Sequence, residues 1–317
     1  MRTKIIPILT ILLSIVYVKG ETNISNLIFF DLTYDDVSSV SSFNVKRTYL
    51  DFQSNLTKDM SLRITTDVGR TDEDGRAVVF LKHAFLNWKT NYGDLIIGVQ
   101  PTNYFGPTTK TWGYRFIEKY PGDLWGFGAT SDLGISIIRK IGGRLFVQGA
   151  VYNGVGYKKP EDDKYKRLSL LVAYGENRLD KNPGWNIGGN FSFEPTNTLK
   201  KYTAMGFVGV AIKKIRIGGE YIAQADYNPN DQSYDQKLLT VFYGSLMIAP
   251  KTSLLIRAEM FAPSSNMIED LEIYTIVGFN YSLNSHVYIA PTLHYTKYED
   301  TDCDPTWFFK LNFQFKT

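Results

Sequence analysis

The chain has 317 residues with 35 Lys and Arg against 32 Asp and Glu, and 15% of its side chains are aromatic. Arg2, Lys4 and Lys19 all fall in the first twenty residues, and without them the chain is formally neutral, so nothing in its charge points to nucleic acid. The single Cys303 excludes a disulfide framework, and no later stretch approaches the roughly 18 consecutive apolar residues of a transmembrane helix.

Residues 1–4 are basic, residues 5–18 are apolar apart from a few polar breaks, and Val18 and Gly20 sit where a signal peptidase needs small side chains. This is the order of a secretory signal peptide. Residues 1–20 are expected to be cleaved, leaving 21–317 as a single exported domain.

After residue 20 the chain breaks into sixteen short segments of mostly alternating polarity, with no helical period and no linker. They lie near 26–35, 43–54, 60–70, 77–89, 93–101, 126–139, 143–153, 165–176, 184–194, 202–213, 214–226, 236–249, 252–262, 270–282, 285–298 and 306–316. Most have the ~9–11 residues a tilted strand needs to cross a bilayer. Their connections alternate in length. Tight turns at 56–59, 90–92, 140–142, 213–214, 250–251 and 283–284 are interleaved with longer polar links, the longest being 102–125. Outer-membrane barrels have short periplasmic turns and longer external loops. The exception is 177–183, a longer link where a short turn is expected.

Period two puts different solvents on the two faces of a strand. Arg47, Asp51, Arg63 and Asp67 oppose Leu50, Phe52, Leu62 and Ile64; Arg257 and Glu259 oppose Ile256 and Ala258. A slip of one residue would turn Arg257 toward lipid, at roughly 2–4 kcal/mol near the midplane, so register is fixed. Segments 77–89 and 202–213 do not alternate cleanly and receive no face assignment. A secreted β-sandwich, as in a carbohydrate-binding protein, shares the alternation. Against it stand Trp112, Tyr114, Trp125, Trp185, Tyr281, Tyr295, Trp307 and Phe315, all near proposed strand ends, where barrels carry aromatic girdles. The expected fold is all-β: a closed antiparallel transmembrane β-barrel of about sixteen strands.

In the last segment Trp307, Phe309, Leu311, Phe313 and Phe315 form an apolar face, with Lys310, Asn312 and Gln314 on the other. This resembles the C-terminal targeting signal of bacterial outer-membrane barrel proteins, although Lys316 and Thr317 follow the final Phe. The link 102–125 follows the fifth segment, Asp94 to Gln100, a position that matches the inward-folded third external loop of sixteen-stranded porins. The whole mature chain is similar to that superfamily. The nearest resemblance, to phosphate-selective porins of the O and P type, rests on the stretches 43–52 and 62–67, Gly98-Val-Gln-Pro101, Trp112-Gly-Tyr-Arg115 and Ser131-Asp-Leu-Gly134. It implies passive diffusion, a bacterial outer-membrane location and a homotrimer. The arginine ladder of that family has no residue-by-residue counterpart here.

The strand faces put Arg47, Arg63, Arg144, Arg216, Arg257 and Lys310 on the lumen wall with Asp51, Asp67, Asp132, Glu220, Glu259 and Glu272. A mixed wall gives weak selectivity, since strong ion selectivity needs rings of one sign. The constriction loop adds Lys110, Arg115 and Lys119 against Glu118 and Asp123, which favours anions slightly. The expected partners are outer-membrane lipid and small polar or anionic solutes, with no cofactor. Enzymatic activity of the phospholipase kind would need a His–Ser pair. His286, His294 and Ser285 share a hairpin, but no Gly-x-Ser-x-Gly or His-Glu-x-x-His stretch occurs, so an enzyme is not expected. A structural or adhesive barrel with an occluded lumen is the other reading.

Overall fold

The computed structural model describes residues 21–70, 75–264, 271–300 and 302–317, so the signal segment expected at 1–20 lies outside the described residues. Sixteen strands follow one another: β1 Thr22–Asp35, β2 Val40–Asn55, β3 Met60–Arg70, β4 Ala77–Thr90, β5 Gly93–Pro101, β6 Ser131–Ile141, β7 Leu145–Tyr152 and β8 Arg167–Gly175 make the first half. The second half is β9 Gly184–Pro195, β10 Lys200–Ile212, β11 Ile215–Tyr227, β12 Tyr234–Ala249, β13 Thr252–Ala262, β14 Glu272–Ser282, β15 Val287–Tyr298 and β16 Thr306–Lys316. Each pairs with its chain neighbours, and β1 closes on β16 from Leu27 against Lys316 to Asp35 against Phe308. A closed ring leaves no unpaired edge, which is what lets strands cross hydrocarbon. The sandwich reading is thereby excluded. The sixth strand starts at Ser131, not near 126, because residues 126–130 still belong to the inward link.

The exterior is apolar and uncovered. Phe242 is 61% exposed, Val208 55% and Ile256 51%, and Ile187 and Val277, paired with the last two, are exposed as well. In water such a belt would drive aggregation; facing acyl chains it is the ordinary surface of a membrane barrel. Trp185, Tyr281, Tyr295 and Trp307 lie exposed at its margins, as a girdle requires. Trp112, Tyr114 and Trp125 do not: they belong to the link between β5 and β6 and pack inside the barrel.

Two bulges explain why the alternation of polarity is broken on this side of the barrel. Across β1–β2, Phe29 pairs with Arg47 and Phe30 with Val45, which leaves Lys46 as the extra residue. Across β3–β4, Thr65 pairs with His83 and Thr66 with Leu81, which leaves Lys82 extra. A bulge lets two consecutive side chains point to one face. Hence Lys46 and Arg47 both turn inward, as do Lys82 and His83. In β10 the period is regular in space, with Thr203, Met205 and Phe207 buried between exposed neighbours. Its sequence does not alternate because Met205 and Phe207 face a dry surface, the inward link.

Candidate functional site: the lumen and its constriction loop

Residues 102–130 enter the barrel and stay there. A 3-10 turn, Asn103–Phe105, leads into a short helix, Gly106–Trp112, with Pro107 in its first turn, where the missing N–H costs nothing. The helix stops at Gly113, whose φ of 75° is the left-handed geometry glycine accepts without strain. A second helical turn, Pro121–Leu124, follows. Tyr104, Phe105, Trp112, Phe116 and Tyr120 are buried, and with Leu171, Met205, Phe207, Ile222, Leu239 and Leu255 of the wall they form one apolar core. Wall residues of β8 and of β10 to β13 therefore pack against the loop instead of facing open lumen.

Charged wall residues pin the loop. Arg257 and Glu259 are both fully buried and ion-paired to each other; Arg257 also donates to the Lys119 carbonyl at 2.7 Å and lies 5.3 Å from the Trp112 ring centroid. Glu259 accepts from the Trp125 indole N–H, and Glu220 from the hydroxyls of Tyr120 and Tyr243. Arg216 donates to the Trp112 carbonyl at 3.0 Å and stacks over Tyr114. Four of the residues expected on a hydrated wall, Arg216, Glu220, Arg257 and Glu259, thus hold the loop, and the last three are sealed from solvent by it. Alternation along a strand sorts wall and loop residues as separate surfaces, whereas in the fold they are one interface. Asp132 is also buried, accepting the backbone N–H of Gly154 and of Leu133, and so shapes the β7–β8 link. Arg144 sits in the exposed β6–β7 turn, off the barrel wall. Glu272 lies on the inward face of β14 with Tyr274, at the strand's start.

On the opposite side of the loop Glu118 meets Lys310 at 3.1 Å, the Tyr274 hydroxyl at 3.3 Å and His294 at 3.9 Å. Lys46, the bulge residue, donates to the Ile117 carbonyl at 2.9 Å and lies 3.5 Å from Asp31. Burial alone would push Glu118 up, but the ammonium groups of Lys46 and Lys310 outweigh it and hold the carboxylate well below its usual range. Glu118, one of the two acids expected on the loop, therefore anchors it. No sequence signal gave Lys46 this role, because strict alternation would turn it to lipid.

Open space of about 530 Å³ borders Tyr114 and the wall from β10 to β13, and open space also lies between the loop and the wall from β1 to β7. A cavity of about 490 Å³ is bordered there by Arg63, Lys82, Lys110 and Arg115, with Asp51 as its one acidic residue. Arg63 pairs with Asp51 at 2.8 Å, and just outside the cavity Arg47 pairs with Asp67 at 3.0 Å. Lys82 reaches Thr130 at 3.2 Å and Tyr157 at 3.4 Å, with Asp67 at 3.8 Å. Lys110 and Arg115 make no ion pair or side-chain hydrogen bond among the described residues, and the Arg115 Nε is buried without a partner. Lys119 is exposed and Asp123 half-buried on the same loop. The 176–183 link, anomalous by length, also folds toward the interior: Leu179 is buried beside Gly209, against which Thr111 of the loop helix also packs.

The three histidines bond to wall side chains and to the backbone. His294 contacts Tyr274 and Thr292, and His286 is exposed against the Lys316 carbonyl. His83 does meet a serine, Ser131, at 3.1 Å, and bonds on its other nitrogen to Thr65, itself bonded to Asp51. Ser131 is fully buried, so its hydroxyl is presented to no substrate.

No protein-family model matches the chain, and no curated protein matches it by sequence. Solved structures do match. The loop L8 deletion mutant of OmpT, an outer membrane protein of Vibrio cholerae, superposes with TM-score 0.69 at 14% identity, covering 94% of this chain and 99% of that one. An anion-selective porin from Comamonas acidovorans gives 0.68 at 12% identity, covering 94% and 100%. The outer membrane channel DcaP of Acinetobacter baumannii gives 0.66 at 11%, covering 94% and 97%. With its closed ring of sixteen antiparallel strands, the chain has the fold of the outer-membrane porins.

Proposed function

We propose that this protein is an outer-membrane channel for passive diffusion of small polar solutes, with a preference for anions. The observation that carries this is the charge around the open cavity: Arg63, Lys82, Lys110 and Arg115 against Asp51. The six-against-six wall inferred from strand faces does not describe it, because Glu220, Glu259 and Arg257 lie under the loop and Glu118 is neutralised by Lys46 and Lys310. Lys110 and Arg115 are left without a carboxylate, and an uncompensated cationic pair at a constriction raises the local concentration of anions. Arg47, Asp67, Asp123 and Lys119 contribute a second, more balanced layer. Phosphate, suggested by the resemblance to phosphate-selective porins, is one candidate solute.

Reversal potentials in planar bilayers under a potassium chloride gradient test this reading. Anion permeability above cation permeability is expected; a ratio of one or below removes it. Absence of any single-channel conductance would favour the structural barrel with an occluded lumen. We assign no enzymatic role, since the His83–Ser131 contact, the one such pair among the described residues, is buried. A homotrimer is supported by the trimer form described for OmpT of Vibrio cholerae, and chemical crosslinking in native membranes would test it.

A further inference from the structure

The open cavity has a second property that anion diffusion does not use. Phe85 on β4, Ile96 on β5 and Ile138 on β6 point inward on three adjacent strands, Phe85 as the cross-strand partner of Arg63, and they line the cavity together with Phe105 of the loop. Phe85, Ile96 and Ile138 are half-buried and do not belong to the packed core that absorbs the apolar residues under the loop. Inward positions of a water-filled barrel are ordinarily polar. Here three of them are only half-buried and border the open cavity. A cavity that sets apolar surface beside basic groups matches a ligand that carries both.

We infer that this cavity is a selectivity site for amphiphilic organic anions, meaning a single carboxylate on an apolar, aryl-sized body, in preference to inorganic phosphate. The inference rests on the anion-channel reading above and narrows its solute. Phosphate carries a tight hydration shell, and the strip of Phe85, Ile96 and Ile138 offers no hydrogen bonds to replace it. An aryl carboxylate loses little on that side and gains from covering the apolar surface, while its carboxylate meets the Arg115 or Arg63 guanidinium in the forked geometry those groups favour. The volume, about 490 Å³, falls within the range of small-ligand pockets.

The test is block of chloride current through the purified full-length protein by added acetate, butyrate, benzoate and inorganic phosphate. The three carboxylates carry equal charge and differ in apolar area. The half-blocking concentration is expected to fall along the series, with benzoate lower than acetate by roughly tenfold or more, and lower than phosphate. A flat series, or phosphate blocking better than benzoate, overturns the inference while leaving anion selectivity in place. Loss of anion selectivity itself, read separately from chloride reversal potentials, would instead remove the parent reading. Phe85→Asn should raise the benzoate value several-fold; unchanged benzoate block in a folded Phe85→Asn channel would overturn the placement. The wild-type series decides the matter even if that variant fails to fold.

Discussion

Lys310 on the last strand and Glu118 on the constriction loop form a 3.1 Å ion pair, 192 residues apart in sequence, that ties the loop to the seam where the barrel closes. Lys46 completes the triad from the other side of that seam. Glu118→Ala would leave two ammonium groups facing each other in a partly dry site. Breaking such a pair on one side costs about 3–5 kcal/mol when fully buried, and less here because Lys310 keeps some solvent contact. The expected outcome is a loosened loop: noisier single-channel current with larger mean conductance, and an earlier thermal transition in detergent. Quiet, wild-type current would refute the anchoring role.

The same triad sets a pH dependence. Glu118 is held below its usual range, so its contribution to loop docking is fully present above the unfolded carboxylate value of roughly 4.3 and is lost as pH falls through the lowered value. Channel noise should therefore stay low through mildly acidic solution and rise only under strongly acidic conditions. Recordings across that range would show it. A noise transition centred near neutrality would point to a different group.

Arg257 and Glu259 form the most enclosed ion pair at the loop interface, with both side chains at 0% exposure. Arg257→Ala would strand Glu259 and is expected to destabilise by about 3–5 kcal/mol, whereas the paired change Arg257→Met with Glu259→Leu should cost much less. Thermal unfolding in detergent separates the two. Because the loop covers this pair, the double variant should keep the anion-to-cation permeability ratio; a large change would place these residues in the conducting path.

How much of this was legible before coordinates depends on which solvents a strand separates. β13, β15 and β16 divide lipid from a polar interior, so Arg257 and Glu259, or Lys310 and Asn312, betray their face by simple alternation. In β10 the interior is dry, Met205 and Phe207 pack on the loop, and the sequence signal disappears although the geometry does not. Lys46 and Lys82 were invisible for a different reason: a bulge adds a residue without leaving a compositional mark. The loop's position after the fifth strand was readable, yet what it covers was not. Trp112 and Trp125 look like girdle residues in one dimension, and only the fold shows the partners that draw them inward.

Arg115 and Lys110 are the residues on which selectivity should turn. Replacing both by Gln removes two unpaired positive charges from the cavity and leaves Arg63 paired with Asp51. The anion-to-cation permeability ratio should move toward unity, with conductance little changed in concentrated salt, where screening shortens the reach of fixed charges to about 3 Å. Reversal potentials at low and high salt would check both parts. An unchanged ratio at low salt would mean that ions pass elsewhere in the barrel.

Gly113 lets the loop helix end where Arg216 can reach it. Its φ is 75°, and a Cβ there would sit 2.7 Å from the Arg216 guanidinium nitrogen that bonds the Trp112 carbonyl. Gly113→Ala therefore carries two penalties. The left-handed backbone costs an L-residue roughly 1–2 kcal/mol, and the guanidinium must swing aside, giving up a charge-assisted hydrogen bond. Arg216→Gln should reproduce the second loss without the first. The expected order of thermal stability is wild type, then Arg216→Gln, then Gly113→Ala. If Gly113→Ala proved as stable as the wild type, neither the left-handed stop nor the Arg216 contact would be holding the helix end in place.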